Sequence, residues 1–342
     1  MAAQHTIETK FTREYGVRYP FACAGMAFAG SSPALPIAVG RAGGIGAYGV
    51  GPLPAPLVAQ HVAAIRGAVD APLNLNFITL LTDESHIALC EELRPAIASF
   101  HWGHPRREWI ERLHRAGCKI WEQVGSVDDA RRAVGDGIDV IVAQGTEAGG
   151  HNYGSLPTFV LVPAIVDAVA PALVLAAGGI ADGRGVAAAL ALGADGVWVG
   201  TRMVATTEAD VSAEYKERLT RASGTETTLT SLWGRQMGGF NPMRVVVNKI
   251  VGEWAHRENA VPSDGESQPV VGEMTMAGQR IVMHRFSSFV PLGSAIADIE
   301  QMPICSGQGV GVIKEIEPAA VVIETMMRDA CDIIANLSPR PG

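Results

Sequence analysis

Apolar and polar positions along residues 20–200 repeat a single unit: a short apolar or β-branched run, a glycine-rich or polar turn, then an alanine- and leucine-rich stretch of helical period. Eight strands are expected, at 21–24, 44–48, 73–77, 96–100, 119–123, 140–144, 173–177 and 196–199. The intervening segments carry helix signals. Residues 56–68 begin at prolines, 84–93 open with acidic residues, and 127–134 follow Ser126 as a cap, with Asp128 and Asp129 near the positive end of the helix dipole. Eight parallel strands with right-handed helical crossovers close most naturally into an α/β fold of the (β/α)8 TIM-barrel type, whose chemistry gathers on the loops after strand C-termini. The rival is an open doubly wound sheet. Against it, the early run AGGIGAYGVG lies within and after a strand and lacks the G-x-G-x-x-G spacing that opens a dinucleotide-binding helix.

The regularity fades after residue 200, which divides the chain into a barrel core at 1–206, a lid or small inserted domain at 207–310, and a C-terminal helix at 311–342. The middle part mixes a helical stretch at 213–222 with a polar region around 261–270. Residues 319–336 regain helical period, with Ala320, Ile323, Met327, Ala330 and Ile334 along one stripe expected to pack on the outside of the barrel.

Composition narrows the function. With 342 residues and 48% hydrophobic content, the chain can bury a full core without disulfides or metals. A net charge of −8 argues against nucleic acid as a partner, since that affinity is built from clustered lysine and arginine. The five cysteines are scattered and odd in number, without a C-x-x-C pair, which reads as a reduced, cytoplasmic protein. The N-terminus lacks the apolar core of a signal peptide, and no apolar run approaches the ~18 residues of a membrane span, so no membrane partner is expected.

The densest local signal is AAGGIADGRGVAAALALGADGVWVGTRM, residues 176–203, spanning the seventh strand, its helix and the eighth strand. Gly178 and Gly179 allow close approach of backbone amides to an anion, and Gly200 with Thr201 ends the eighth strand with further amides and a hydroxyl. Barrels commonly place a phosphate cup at this point, though the same glycines would also serve plain βα turns. The other strand ends are small and polar: Gly25 and Met26 after the first, Asn76 at the third, Gln123 at the fifth, Gln144 at the sixth. A flavin ring wants such a mixture, because its pyrimidine edge alternates donors and acceptors while its far end is apolar. Each amide alone could instead tie down a loop backbone.

The loop after the sixth strand, QGTEAGGHNYG, places His151 behind Gly149 and Gly150 at the mouth, which makes it the candidate base: imidazole titrates near neutrality and can take a proton from an acidic carbon without a metal. His101 and His104, in FHWGHP, form the only other pair facing that rim; they read as substrate-pocket or supporting residues, and a third metal ligand is not evident. Glu147 has open readings: orienting His151, binding substrate, or a solvated loop carboxylate. The glycine-rich segment Ser306 to Gly311 either folds back over the ligand or only turns the chain into the last helix. Cys23 and Cys305 lack the basic surroundings of a nucleophile and read as packing residues.

Together, CAGM, LNLNF, QGTEAGGH, the AAGGIADGRG…GADGVWVGTRM block and the late SGQGVG resemble the nitronate monooxygenase family, formerly the 2-nitropropane dioxygenases, over most of the chain. The resemblance implies an FMN flavoprotein, an oxidoreductase of the monooxygenase type acting on a small-molecule nitronate and dioxygen. It places Gly25, Met26, Asn76, Gln123, Gln144, Gly149, Gly150, Gly178, Gly179, Trp198, Val199, Gly200 and Thr201 at the cofactor and makes His151 the catalytic base. Two positions depart from the family: Gly25 stands where a proline commonly precedes the methionine, and Pro303-Ile304-Cys305-Ser306 stands where an aromatic commonly precedes the late GQ. NAD(P)H:quinone reductases share the barrel, the AGH-type loop and an SGQ segment, so NAD(P)H is a further candidate partner, and flavin-dependent enoyl-acyl carrier protein reductases are a third reading. A phosphosugar isomerase without flavin, or a non-catalytic binding barrel, represents a different class. Inosine monophosphate dehydrogenase relatives need a cysteine in the loop after the sixth strand, which this chain lacks. Oligomeric state stays open, a homodimer included.

Overall fold

The computed structural model describes residues 6–152, 154–234, 242–262 and 264–337. The start of the N-terminal segment weighed as a leader, Tyr153 of the His151 loop, and residues 235–241 of the expected lid lie outside them.

All eight expected strands form, at Phe21–Cys23, Gly46–Gly49, Leu73–Ile78, Ile97–His101, Lys119–Val124, Val140–Gln144, Leu173–Ala177 and Gly196–Val199. They pair in parallel in sequence order, and the first also pairs with the eighth through Phe21 and Val197. The ring closes between first and second strands at the parallel bridge Ala22 to Ile45, with Cys23 N donating to the Ile45 carbonyl at 2.9 Å. This is a TIM barrel. Side chains alternate along each strand, so Leu73, Leu75 and Phe77 meet the helices while Asn74 and Asn76 turn inward.

Seven helices make the crossovers between successive strands, from Ala34–Ala42 to Gly183–Ala191. The eighth place in the ring goes to Ala319–Leu337, which packs on Gly183–Ala191 and Ala34–Ala42. Its buried face is Ala319, Val322, Ile323, Met326, Met327 and Ala330; Ala320 and Ile334 of the expected stripe are only partly buried. Contact with its neighbour is close enough that a Cβ on Gly183 would lie 2.7 Å from the Met326 carbonyl and 2.8 Å from the Ala330 nitrogen.

The barrel's lower end is plugged by the helix Lys10–Tyr15, which sequence patterning did not single out. Thr9 caps it and donates its hydroxyl to the carbonyl of Asp195, just before the eighth strand. Phe11 enters the barrel against Trp121, whose indole N–H donates to the Tyr15 hydroxyl at 2.7 Å. With Leu175 and Trp198 these rings fill the interior, so the barrel is open only above.

After the eighth strand in the chain, Thr227–Thr230 and Met243–Val246 form an antiparallel pair, and Met243–Val246 also pairs with the two-residue strand Gly150–His151 from the loop after the sixth barrel strand. A hairpin, Val270–Met276 with Gln279–His284, pairs with Ile296–Ala297 and leads to the segment 285–292. No described helix is long and apolar enough to cross a membrane.

Candidate functional site

The strand C-termini and the overlying segments enclose a cavity of about 480 Å³, within the usual size of a cofactor or substrate site. Twelve of the fourteen site residues expected from sequence line it: Gly25, Met26, Gln123, Gln144, Gly149, Gly150, His151, Gly178, Gly179, Trp198, Gly200 and Thr201. Asn76 and Val199 do not. The eighth strand's alternation turns Trp198 inward and sends Val199 toward the helices. Asn76 sits behind Gly25, its amide donating to Ser99 Oγ at 2.8 Å; a Cβ at position 25 would lie 2.0 Å from the Asn76 Cγ. The glycine at 25 therefore leaves the space that the buried Asn76–Ser99 pair occupies.

Three glycine-bearing turns interlock on the side of the sixth to eighth strands. Gly178 (φ 106°) and Gly179 (φ 74°) take left-handed backbone after the seventh strand. Gly149 meets the late segment so closely that a Cβ there would lie 2.5 Å from Gly307 N. Gly307 N in turn donates to Thr201 Oγ1 at 2.9 Å, and Gln308 N donates to the Glu147 carbonyl at 2.9 Å. The segment from Ser306 to Gly311 thus folds back onto the mouth rather than only turning the chain, and Gly307 and Gly309 join the cavity wall. A Cβ on Gly200 would meet nothing nearer than Ala24 Cβ at 3.5 Å, so open space faces the end of the eighth strand. Small residues, clustered backbone amides and a hydroxyl fit the phosphate end of a flavin mononucleotide, and the neighbouring Gln123 and Gln144 with Trp198 fit a ring that is polar on one edge.

His151 is half-buried in the wall of the same cavity, held by two devices. Its backbone is paired with Met243, while its carbonyl accepts from the Gln144 amide at 3.1 Å. Its ring lies against the indole of Trp102, centroids 3.6 Å apart and planes 34° from parallel. Trp102 is buried and takes a left-handed backbone (φ 64°), with Gly103 following at φ 120°. Thr79 pins this turn by donating to the carbonyls of His101 (3.0 Å) and Gly103 (2.8 Å). A bulky residue held at positive φ is strained and persists where the surroundings dictate it. Sequence reading passed over Trp102, although an aromatic before a glycine at a strand end was a signal for it.

The histidine pair of FHWGHP separates. His101 lines the cavity, and burial pushes its pKa down to about 4, so it is neutral. His104 turns outward, its Nδ1 2.8 Å from Glu122 Oε2 and its Nε2 3.2 Å from Asp136 Oδ2, and its hydrogen bond to Glu122 raises its pKa. The expected shared rim position fails for His104 because two carboxylates outside the barrel hold it. Glu147 takes none of its expected roles: its carboxylate accepts from Thr158 N (2.8 Å) and Thr158 Oγ1 (2.9 Å), capping the helix Thr158–Val169. Burial pushes the thiols of Cys23 and Cys305 up to about 12, so both stay protonated, although Cys305 lines the cavity. Among the described residues no cluster of three His, Cys, Asp or Glu could hold a metal.

Against known proteins, residues 81–329 match the family model described as nitronate monooxygenase. A Mycobacterium tuberculosis protein assigned as a monooxygenase is 36% identical over 242 residues, which cover 69% of this chain and 59% of that protein's length. Among solved structures, FabK from Thermotoga maritima superposes with a TM-score of 0.81 at 32% identity, covering 97% of this chain and 99% of that one. The nitroalkane oxidase from Streptomyces ansochromogenes gives 0.77 at 25% identity, covering 96% and 99%.

Proposed function

The chain belongs to the nitronate monooxygenase family, and from that premise we propose that it oxidises alkyl nitronates, and the nitroalkanes from which they arise, with dioxygen to a carbonyl compound and nitrite, using FMN. The observation that carries this reading is the seating of His151: an imidazole at the wall of the cavity that the interlocked glycine turns also line, fixed by a sheet pairing and an indole.

The carbon bearing a nitro group is acidic, because the nitro oxygens take up the charge left when its proton departs. His151 takes that proton and keeps it, and the imidazolium then faces the nitronate. FMN, when bound, supplies the electron acceptor. The interlocked turns would hold its phosphate, Gln144 fixes the loop that carries the base, and the surrounding apolar walls keep bulk water from the reacting carbon.

The test is anaerobic rapid mixing of the flavin-loaded protein with propyl 3-nitronate, NADH or NADPH in separate runs, following flavin absorbance. Bleaching by the nitronate is expected. Rapid bleaching by a nicotinamide with no response to nitronate would replace this reading with a reductase. His151→Asn should retain FMN and lose turnover of neutral nitroalkanes by on the order of 100-fold or more, losing much less on preformed nitronates. Equal losses on both would remove His151 as the base.

A further inference from the structure

Met243 and Arg244 are neighbours on the strand Met243–Val246, and strand alternation sends them to opposite faces: Met243 lines the cavity and Arg244 does not. Arg244 is buried all the same, with 9% of the residue exposed. Its backbone pairs with Gly150 while its Nε donates to the carbonyl of Thr146 at 2.9 Å, so one residue holds the His151 loop at two points. Its Nη1 donates to Thr227 Oγ1 at 3.3 Å on the neighbouring strand, and its carbonyl accepts from Ser306 N at 3.1 Å, at the start of the glycine-rich late segment. Loop, strand pair and late segment come from distant parts of the chain, and Arg244 is bonded to all three. A long apolar side chain would enter this place at less cost, since a guanidinium must give up water to do so. Burial lowers its pKa, and the Glu147 carboxylate acts in the opposite sense. What the charge supplies is a strong donor for a loop carbonyl: Thr146 lies beyond the end of the sixth strand, and a charge-assisted hydrogen bond holds it more firmly than a neutral one.

We propose that Arg244 is a positioning residue for His151: its side chain fixes the first half of the loop that carries the imidazole, and its backbone fixes the second. The proposal rests on the nitronate reading for the proton that His151 takes, and adds the residue that ties the base loop to the late segment folded onto the mouth. Arg244 touches neither substrate nor cofactor and acts only through the backbone it holds.

Two variants test it in the flavin-loaded protein. Arg244→Met keeps an unbranched apolar stem and removes the donors, whereas Arg244→Lys keeps the charge without the planar fork that reaches two acceptors. For each, kcat/KM is measured on nitroethane and on preformed ethyl nitronate, together with flavin content and amide hydrogen exchange of residues 144–152 by mass spectrometry. Arg244→Met should lose on the order of 10- to 100-fold on nitroethane, lose far less on the nitronate, keep its flavin, and exchange faster at 144–152. Arg244→Lys should recover part of each effect. Equal losses on both substrates, or unchanged exchange at 144–152, would leave Arg244 a packing residue. Should Arg244→Met not fold, Arg244→Lys decides by the same two criteria at smaller amplitude. A wild type that turns over neither substrate would overturn the nitronate reading; the exchange measurement then stands alone, faster exchange upholding the role of Arg244 in holding the loop and unchanged exchange overturning it.

Discussion

The indole of Trp102 and the imidazole of His151 lie against each other, 3.6 Å between centroids and tilted by 34°, although they come from the loops after different barrel strands. The contact joins the candidate base to the turn that Thr79 pins at the fourth strand. Trp102→Leu should cost about tenfold in kcat/KM for nitroethane through loss of positioning, with a smaller loss on preformed nitronates. Trp102→Phe should recover part of that loss. Equal losses on both substrates would leave Trp102 a packing residue.

Gly25 and Asn76 are the second coupled pair. Gly25→Ala drives a Cβ into the Asn76 side chain and should cost about 1–3 kcal/mol of stability, the usual range for overpacking. Asn76→Ala in the same chain should return much of that loss, since the obstructing amide is gone. Thermal unfolding of the two single variants and the double variant decides it: simple additivity would mean that the two positions do not compete for the same space.

His104 gives a pH signature in stability rather than in catalysis. Glu122 and Asp136 raise its pKa in the folded state, so folding takes up protons there. The stabilisation is complete below the unfolded value near 6.5 and is lost as pH rises through the higher folded value. Glu122 does not reverse the sign, because burial raises its pKa as well. The Tm gap between wild type and His104→Gln, corresponding to about 1 kcal/mol at pH 6, should shrink on going to pH 9. A gap that widens with pH would contradict the ion-pair geometry.

Gly183 lets the helix Ala319–Leu337 close the helical ring. Gly183→Ala places its Cβ against the backbone of Met326 and Ala330, which cannot swing away as a side chain would. A loss of about 1–3 kcal/mol and a Tm lower by roughly 5 °C are expected. No change in a calorimetric scan would show that the helix sits elsewhere.

The barrel was legible because its signal is local. Runs such as Val140–Gln144 and Leu173–Ala177 are apolar on both faces and bounded by turns, which is what a strand between core and helices requires. The second strand begins two residues later than the pattern suggests, since Gly44 still belongs to the turn after the helix Ala34–Ala42, its N–H donating to the Val39 carbonyl, and Ile45 makes the single bridge that closes the ring. The cavity-lining glycines were legible for a similar reason: two adjacent positive-φ residues after a strand leave few other candidates. What escaped depends on distance along the chain. Nothing near Trp102 announces that it will meet His151, and nothing near Phe289 announces Phe28. Glu147 was ambiguous because its partner, Thr158, becomes a helix N-terminus only once the chain has folded. His104 was misplaced because the carboxylates that hold it, Glu122 and Asp136, lie far along the chain from it.

Gly150 and His151 pair with Arg244 and Met243, and Met243 itself lines the cavity. On the function proposed above, the backbone that walls the site would then be the backbone that aims the base: a substitution that loosens the ladder at Met243 or Arg244 would lower proton abstraction without touching the imidazole. Reactivity toward a neutral nitroalkane would be governed by backbone register, not by the acidity of any side chain.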